Sequence, residues 1–238
     1  MKADRVIQIL TTAIPREAEW SQGEPYGPYR LDPTREIRKV LFCVTPGRKV
    51  QDYFAANQYD LLISHHPYQT DLPQLIFHTS LDCCEGGLND VWRDALGVQD
   101  AQHFDANLGW YGPIEPIGFQ DLIAKCEKFI HHKVIGQTYS KIDLIRSVVI
   151  CSGLGGLVTD LARQTKADCY ILGEMCGTAK SSGFNSVIEI GHTLSERMGV
   201  ELIRRLLPGV QVDSAPLEID RFGGEVHGGM RPGDLTGD

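Results

Sequence analysis

The segment from Leu61 to Pro67, which reads LLISHHP, constrains this chain more than any other stretch. Its apolar residues have the length and composition of a buried strand, and Pro67 restricts His66 to an extended backbone and ends the strand. The carboxyl end of such a strand is where α/β proteins bind ligands. Because side chains alternate between the two faces of a strand, His65 and His66 are expected to point in different directions and to serve two ions. The alternative is a pair of solvent-exposed loop histidines.

Apolar runs of strand length alternate with helical patterns along most of the 238 residues, which predicts an α/β fold with parallel strands. The expected strands are 39–44, 61–63, 75–78, 144–150, 168–172, 187–190 and 210–217. The expected helices are 1–13, 50–57, 88–96, 119–129, 157–164, 175–182 and 193–207. The stretch 16–36, which is rich in Gly, Pro and charge, is expected to be a loop.

Strand ends that carry His occur in both halves, which predicts two α/β/α lobes of similar topology facing each other across a metal-containing cleft. Residues 97–118 contain several Gly and Pro and are expected to be irregular, so the boundary is placed there. The expected lobes are residues 1–115 and 116–220. Residues 221–238 are Gly-rich and are expected to form a mobile tail.

The net charge of −8 disfavours nucleic acid or an anionic membrane as the main partner, because both need a basic surface. No window reaches the ~18 apolar residues of a membrane-spanning helix, and the N-terminus does not resemble a signal peptide. The seven cysteines include no CxxC pair, so we expect reduced thiols in a cytoplasmic protein. A metal or redox role for Cys83 and Cys84, beside Asp82, is the lesser alternative.

Further metal-binding residue types follow two other predicted strands, Asp82 with nearby His78 after one and His192 with Glu196 after another. Imidazole and carboxylate groups suit zinc, iron or manganese. Five such groups are too many for one tetrahedral site with an open position, and they fit a centre that holds two divalent ions ~3.5–4 Å apart. The candidate ligands are His65, His66, Asp82, His192 and Glu196.

Each of these residues also has a structural interpretation. Glu196 lies three residues after Thr193, which matches a helix capping box. His192 alone is compatible with a hydrogen-bonded structural histidine, and Asp82 with a cap for the helix that follows it. Their joint position at strand-to-helix junctions favours the metal interpretation. His131 and His132 follow a helix instead, and are expected to face solvent.

The Gly-rich stretch 153–156 lies between a predicted strand and a helix, where backbone amides can approach a phosphate. It lacks the Lys-Ser/Thr of a P-loop and a full GxGxxG pattern, so tight strand-to-helix packing is an equal alternative. The pair Gly173-Glu174 is ambiguous in the same way.

Five segments carry a resemblance to a known family: 60–67 (DLLISHHP), 78–90 (HTSLDCCEGGLND), 152–156 (SGLGG), 167–174 (ADCYILGE) and 191–196 (GHTLSE). In this order they resemble the motifs of the NIF-three-like dinuclear-metal hexameric proteins, often labelled GTP cyclohydrolase type 2 homologues. The resemblance implies the same five metal ligands, with His78 as a neighbouring site residue. It also implies two α/β/α lobes in a toroidal homohexamer whose metal centres face an inner cavity.

The chain departs from that family in three places. The segment between His66 and His78 is shorter than the helix-containing one that the family usually has there, and Met175-Cys176-Gly177 stand where further His residues often follow Glu174. The stretch 97–119 is too short for the insertion domain of some members. These departures bear on the substrate more than on metal binding.

We expect a metal-dependent hydrolase of a small molecule, with a nucleotide such as GTP suggested by the family label. Metal ions lower the pKa of water and stabilise developing negative charge. Glu196 and His78 are the expected catalytic residues: Glu196, or Asp82, positions water or bridges ions, and His78 orients a ligand or moves a proton. No guanine-reading motif is visible in the sequence to support GTP itself. The alternative is a non-catalytic metal-binding hexameric scaffold or regulatory interaction protein.

Overall fold

A computed structural model describes residues 1–68, 70–104, 107–138, 144–175, 183–184 and 186–221 of the chain. Its helices are α1 (Ala3–Ala13), α2 (Arg48–Ala56), α3 (Thr79–Cys83), α4 (Leu88–Leu96), α5 (Phe119–Ile130), α6 (Thr159–Gln164), α7 (His192–Glu196) and α8 (Gly199–Leu206). Its strands are β1 (Tyr26–Tyr29), β2 (Lys39–Cys43), β3 (Leu61–Ser64), β4 (Gln74–Phe77), β5 (Gln102–Phe104), β6 (Gly109–Ile117), β7 (Gly136–Thr138), β8 (Ile145–Cys151), β9 (Cys169–Leu172), β10 (Ser186–Glu189) and β11 (Gln211–Ser214).

The strands form two mixed sheets, which confirms the α/β class. The first sheet has the order β1-β4-β3-β2-β11, and its strands are parallel except for β1. The second has the order β5-β6-β8-β9-β10-β7, with β8, β9 and β10 parallel and the outer strands antiparallel. Parallel strands in each sheet end on the same side, which is where α/β proteins carry their sites.

The first sheet is covered on both faces, which explains why β3 reads as a continuous apolar run. Phe42 and Ile63 pack with α1 and α8 on one face. Leu41 and Leu62 pack with α2 on the other. Neighbouring residues along β2 and β3 therefore serve different cores, as the alternation of side chains in a strand requires.

An aspartate links two parallel strands in the same way in each sheet. Asp60, just before β3, accepts hydrogen bonds of 2.8 and 3.0 Å from two backbone amides at the start of β2. Asp168, just before β9, accepts bonds of 2.8 and 3.1 Å from two amides at the start of β8. Both sheets thus contain a β-α-β unit whose strand starts are tied by a carboxylate.

The prediction that residues 97–118 are irregular is wrong. They contain β5 and β6, and β6 pairs with β8 in antiparallel register from Trp110 opposite Ile150 onwards. Pro113 and Pro116 make this stretch look like a breaker. The register shifts between Pro113 and Ile117, so the strand tolerates its prolines at an irregularity and long-range pairing overrides local preference.

Several other elements differ from the expected ones. The stretch 16–36, expected to be a loop, contains β1 and a short 3₁₀ turn at Arg16–Ala18. The helix expected over 193–207 is divided into α7 and α8, and the short helix α3 was not expected. The sheets also do not follow the expected boundary at residue 115, because β11 pairs with β2 in the first sheet and β5 and β6 join the second. The lobe division stays a prediction. The helix expected at 175–182 and the tail 222–238 lie outside the described residues, except for Met175.

Candidate metal centre

The carboxyl ends of parallel strands from both sheets meet at one buried cluster. His65 and His66 follow β3, Asp82 lies in α3 just after β4, and His192 and Glu196 lie in α7 just after β10. All five side chains are buried. The structure therefore brings together all five candidate ligands, from segments more than a hundred residues apart.

Glu196 lies at the middle of this cluster. Its Oε1 is 3.3 Å from Nε2 of His65 and 3.1 Å from Nε2 of His192, and its Oε2 is 3.2 Å from Nε2 of His66. Asp82 Oδ2 lies 3.7 Å from His65 Nε2. Among the described residues, three groups of ligand atoms lie within 4.8 Å of one another, and one of them is His65, His66 and His78. The other two are the triads that contain Glu196: His65, Asp82 and Glu196, and His66, His192 and Glu196. One carboxylate belongs to both triads, as in a bridging ligand.

The second nitrogen of each imidazole is held by another group. His65 Nδ1 lies 3.1 Å from the Phe77 carbonyl oxygen, His66 Nδ1 lies 2.7 Å from the Thr45 hydroxyl, and His192 Nδ1 lies 2.9 Å from Oε2 of Glu174. These partners fix the ring orientations and direct Nε2 of each ring to the cluster. Metal-binding histidines in proteins are held in this way. In the same manner Ser152 donates its hydroxyl to Oδ1 of Asp82 at 3.0 Å.

Nε2 of His65 and Oε2 of Glu196 are buried and have ion-pair contacts, but neither makes a hydrogen bond among the described residues. Leaving such atoms unsatisfied costs on the order of 1–3 kcal/mol each, and more for a charged group. A divalent cation would satisfy both, and imidazole with carboxylate is the ligand set of zinc, iron and manganese. The residues present therefore fit a metal ion.

The electrostatics of the cluster depend on burial and on Glu196. Burial lowers the pKa of His65 and His192, but nearby carboxylates, Glu196 foremost, outweigh burial and raise these pKa values to about 9 and about 10. Burial lowers the pKa of His66 to about 3 and raises that of Asp82. Burial also opposes ionisation of Glu196, yet His192, His65 and His66 together hold its pKa well below the usual range. The protein thus stabilises an ionised carboxylate in a buried space, as a cation site requires.

Two glycines let the second sheet approach this cluster. Gly153 has a φ of +59°, and a Cβ atom there would collide with Oε1 of Glu196. At Gly173 a Cβ atom would collide with the backbone of Gly153 and with Oγ of Ser195. A side chain at either position would force neighbouring groups to move, because the strand ends lie directly against α7.

The same contacts bear on the alternatives left by the sequence. Three backbone amides of the stretch 153–156 donate hydrogen bonds within the protein. The Gly153 amide donates to the Ser195 hydroxyl, the Gly155 amide to the Gly153 carbonyl and the Gly156 amide to the Glu174 carbonyl. This favours close packing over a phosphate loop. Glu196 is not part of a capping box, since α7 begins at His192 after Gly191 and no side chain caps it.

His78 and Glu24 form an acid–imidazole pair at the edge of the cluster. The His78 ring centroid lies 5.1 Å from that of His65 and 5.4 Å from that of His66, and 28% of its side chain is exposed. Its Nδ1 is 3.0 Å from Oε2 of Glu24, which also accepts a 2.7 Å bond from the Thr79 hydroxyl. Glu24 could not be predicted from the sequence, because nothing in the loop 16–36 indicates where its side chains point.

The two histidines that were expected to face solvent are exposed. His131 and His132 follow α5 and are exposed, with His131 in the left-handed conformation that ends the helix. The described cysteines form no disulfide bond with one another.

Comparison with known proteins identifies the family. The model of the family described as Duf34/NIF3 (NGG1p interacting factor 3) matches residues 1–74 and 68–220. The chain belongs to the DUF34/NIF3 family. A curated relative from Methanocaldococcus jannaschii, named GTP cyclohydrolase 1 type 2 homolog, is 23% identical over 87% of this chain and 95% of its own length. A Lactococcus lactis relative of the same name is 26% identical over 65% of this chain and 70% of its own length.

Solved structures of DUF34/NIF3 proteins share the fold. Reduced HcgD from Methanocaldococcus jannaschii superposes with a TM-score of 0.78 at 21% identity, covering 90% of this chain and 97% of its own. A Bacillus cereus protein related to NIF3 gives a TM-score of 0.75 at 15% identity, covering 93% and 98%. Among the described residues, no helix has the length and apolar character needed to cross a membrane.

Proposed function

We propose that this protein is a dinuclear metal-dependent hydrolase that acts on a nucleotide or a related small molecule. The observation that carries the proposal is the position of Glu196, whose carboxylate belongs to two triads of buried metal-binding side chains. Two ions that share one carboxylate are typical of hydrolytic two-metal sites. The two unsatisfied buried atoms on His65 and Glu196 support the same conclusion.

The proposal assigns each side chain a role. His65 and Asp82 would hold one divalent ion, His66 and His192 would hold the other, and Glu196 would contribute to both. Zinc, iron or manganese bound there would supply Lewis-acid activation of water and stabilise negative charge. His78 lies beside the centre with part of its ring exposed, so it is placed to exchange a proton with a bound substrate. Glu24 fixes the orientation of that ring.

The names of relatives and an exposed apolar surface support proposals on the substrate class and the assembly. The curated relatives are named GTP cyclohydrolase 1 type 2 homologs, and this name suggests a purine nucleotide as the first substrate to test. We further propose two α/β lobes, one built on each sheet, in a cytoplasmic homohexamer. Exposed apolar side chains on and before α6, with Leu157 67% and Leu161 39% exposed, are consistent with a subunit contact there.

The test combines metal analysis with a substrate panel. Protein purified without chelator is analysed for bound metals, loaded with zinc, manganese or iron, and assayed against nucleotides and activated phosphoesters. His65→Ala and Glu196→Ala should abolish turnover and reduce bound metal while the oligomer stays intact. Turnover that survives in both variants, or wild-type protein that takes up none of the three metals, would refute the proposal.

The second candidate function is a non-catalytic metal-binding scaffold. It is favoured by the depth of the cluster, since all five ligands are buried. The same two variants separate the candidates. If they dissociate the assembly and no substrate in the panel turns over with wild-type protein, the ions hold the assembly together and the scaffold interpretation is correct.

A further inference from the structure

Asp220 is a buried carboxylate far from the candidate ligands in sequence. It is 1% exposed, and it accepts hydrogen bonds from two successive backbone amides, at 2.8 Å from Val44 and 2.9 Å from Thr45. These amides follow the end of β2. The carboxylate therefore fixes the backbone at the point where the chain leaves the first sheet.

Thr45 links Asp220 to a candidate metal ligand: its backbone amide is bound by Asp220, and its side chain contacts His66. The Thr45 hydroxyl lies 2.7 Å from Nδ1 of His66. The backbone amide of His66 also donates to the Val44 carbonyl at 2.8 Å. When Nδ1 of His66 carries its hydrogen and donates it to Thr45, Nε2 keeps its lone pair for an ion.

The fold holds Asp220 rigidly in this place. The strand β11 pairs with β2 in parallel, and the Ala215 amide extends this ladder by donating to the Phe42 carbonyl at 2.8 Å. A turn at Pro216 then brings the chain back, with the Asp220 amide donating to the Pro216 carbonyl at 3.0 Å. The carboxylate thus reaches the end of β2 from the neighbouring strand.

We propose that Asp220 is a positioning residue for the metal centre, acting on His66 through Thr45. The inference rests on the proposed metal-binding function. Loss of the carboxylate frees the Val44 and Thr45 amides, the Thr45 hydroxyl shifts, and His66 loses the partner that orients its ring. Removing partners of this kind typically lowers metal affinity about 10- to 100-fold.

The experiment measures zinc affinity of the full-length chain by competition with a chromophoric chelator. Asp220→Asn and Thr45→Val should each weaken zinc binding about 10- to 100-fold, whereas Thr45→Ser, which keeps the hydroxyl, should retain wild-type affinity. Because both residues act on His66 through the same contact, the double variant Asp220→Asn/Thr45→Val should lose no more zinc affinity than the weaker-binding single variant.

Asp60→Asn is the matched control. Asp60 also accepts two amide bonds on β2, but at the opposite end of the strand. The Asp60→Asn substitution should lower folding stability and leave zinc affinity unchanged. If Asp60→Asn and Asp220→Asn weaken binding equally, Asp220 acts through general stability and the inference is wrong.

Other results overturn the inference directly. Wild-type affinity in Asp220→Asn, or additive losses in the double variant, would exclude a path through Thr45. If Asp220→Asn does not fold, the zinc affinities of Thr45→Val and Thr45→Ser are compared instead, and equal affinities would exclude positioning of His66 through Thr45. If wild-type protein binds no metal, the proposed function fails, and the ¹⁵N signals of the His66 ring then decide: a shift in Asp220→Asn supports positioning, and no shift refutes it.

Discussion

Substitution of Gly153 by alanine tests how tightly the second sheet is fitted to Glu196. The residue has a φ of +59°, where an alanine costs roughly 1–2 kcal/mol. Its Cβ atom would collide with Oε1 of Glu196. The backbone cannot move away easily, because its amide donates to Ser195 at 2.9 Å and its carbonyl accepts from Glu174 at 2.7 Å. The Glu196 carboxylate must therefore move.

The expected cost follows from these two contributions. A forced shift in a closely packed interior adds about 1–3 kcal/mol, so Gly153→Ala should lose about 2–5 kcal/mol of unfolding free energy. For a chain of this size that lowers the melting temperature by roughly 10 °C. Displacing Glu196 changes its distances to three imidazoles, so metal affinity should fall about as much as when a ligand's supporting contact is lost, roughly 10- to 100-fold.

Gly209→Ala is the matched control for this prediction. Gly209 has a φ of +85°, and a Cβ atom there meets nothing within 4 Å. The unfolding free energy of Gly209→Ala should fall only by the roughly 1–2 kcal/mol that the backbone strain costs, and this variant should bind metal with wild-type affinity. The assays are thermal unfolding in chelator and zinc titration of both variants. Equal melting temperatures and equal affinities for the two would refute the close approach of Gly153 to Glu196.

Three further predictions address the surroundings of the centre. Glu174→Ala should weaken zinc binding about 10- to 100-fold in a chelator competition, because His192 loses the partner on its Nδ1, and unchanged affinity would contradict this role. Glu24→Gln should leave the metal content intact and lower turnover, measured with any substrate found in the panel, whereas a loss of metal would make Glu24 part of the metal site instead. Burial raises the pKa of Asp220 from its ordinary 3.8 to about 6, so its contribution to stability is present at low pH and is lost as the pH rises through 6. Relative to Asp220→Asn, the wild-type unfolding free energy in chelator should drop by about 1 kcal/mol from pH 5 to pH 7, and an increase would refute the raised pKa.

The parts of this molecule that could be predicted are those that depend on local pattern. The apolar run before His65 and His66 specifies a buried strand, and the proline after it specifies where the strand ends. His192 and Glu196 could be placed at a strand-to-helix junction for the same reason. Their meeting with the first two histidines follows from the expected opposition of strand ends in the two halves.

The parts that could not be predicted depend on contacts between distant segments. Glu24, Thr45 and Asp220 lie in loops, and their roles exist only because the fold brings each to a candidate site residue or its supporting loop. The strand β6 was missed because its prolines oppose strand structure locally while its pairing with β8 supports it. The membership of β11 in the first sheet is likewise decided by packing, since α8 buries Ile203 in the core of that sheet.

The central claim is that Glu196 bridges two ions, and anomalous diffraction from crystals of metal-loaded protein tests it most directly. The account predicts two anomalous peaks ~3.5–4 Å apart, each within bonding distance of one Glu196 oxygen. One peak should also lie beside His65 and Asp82, and the other beside His66 and His192. A single peak, or two peaks that do not share Glu196, would contradict the account.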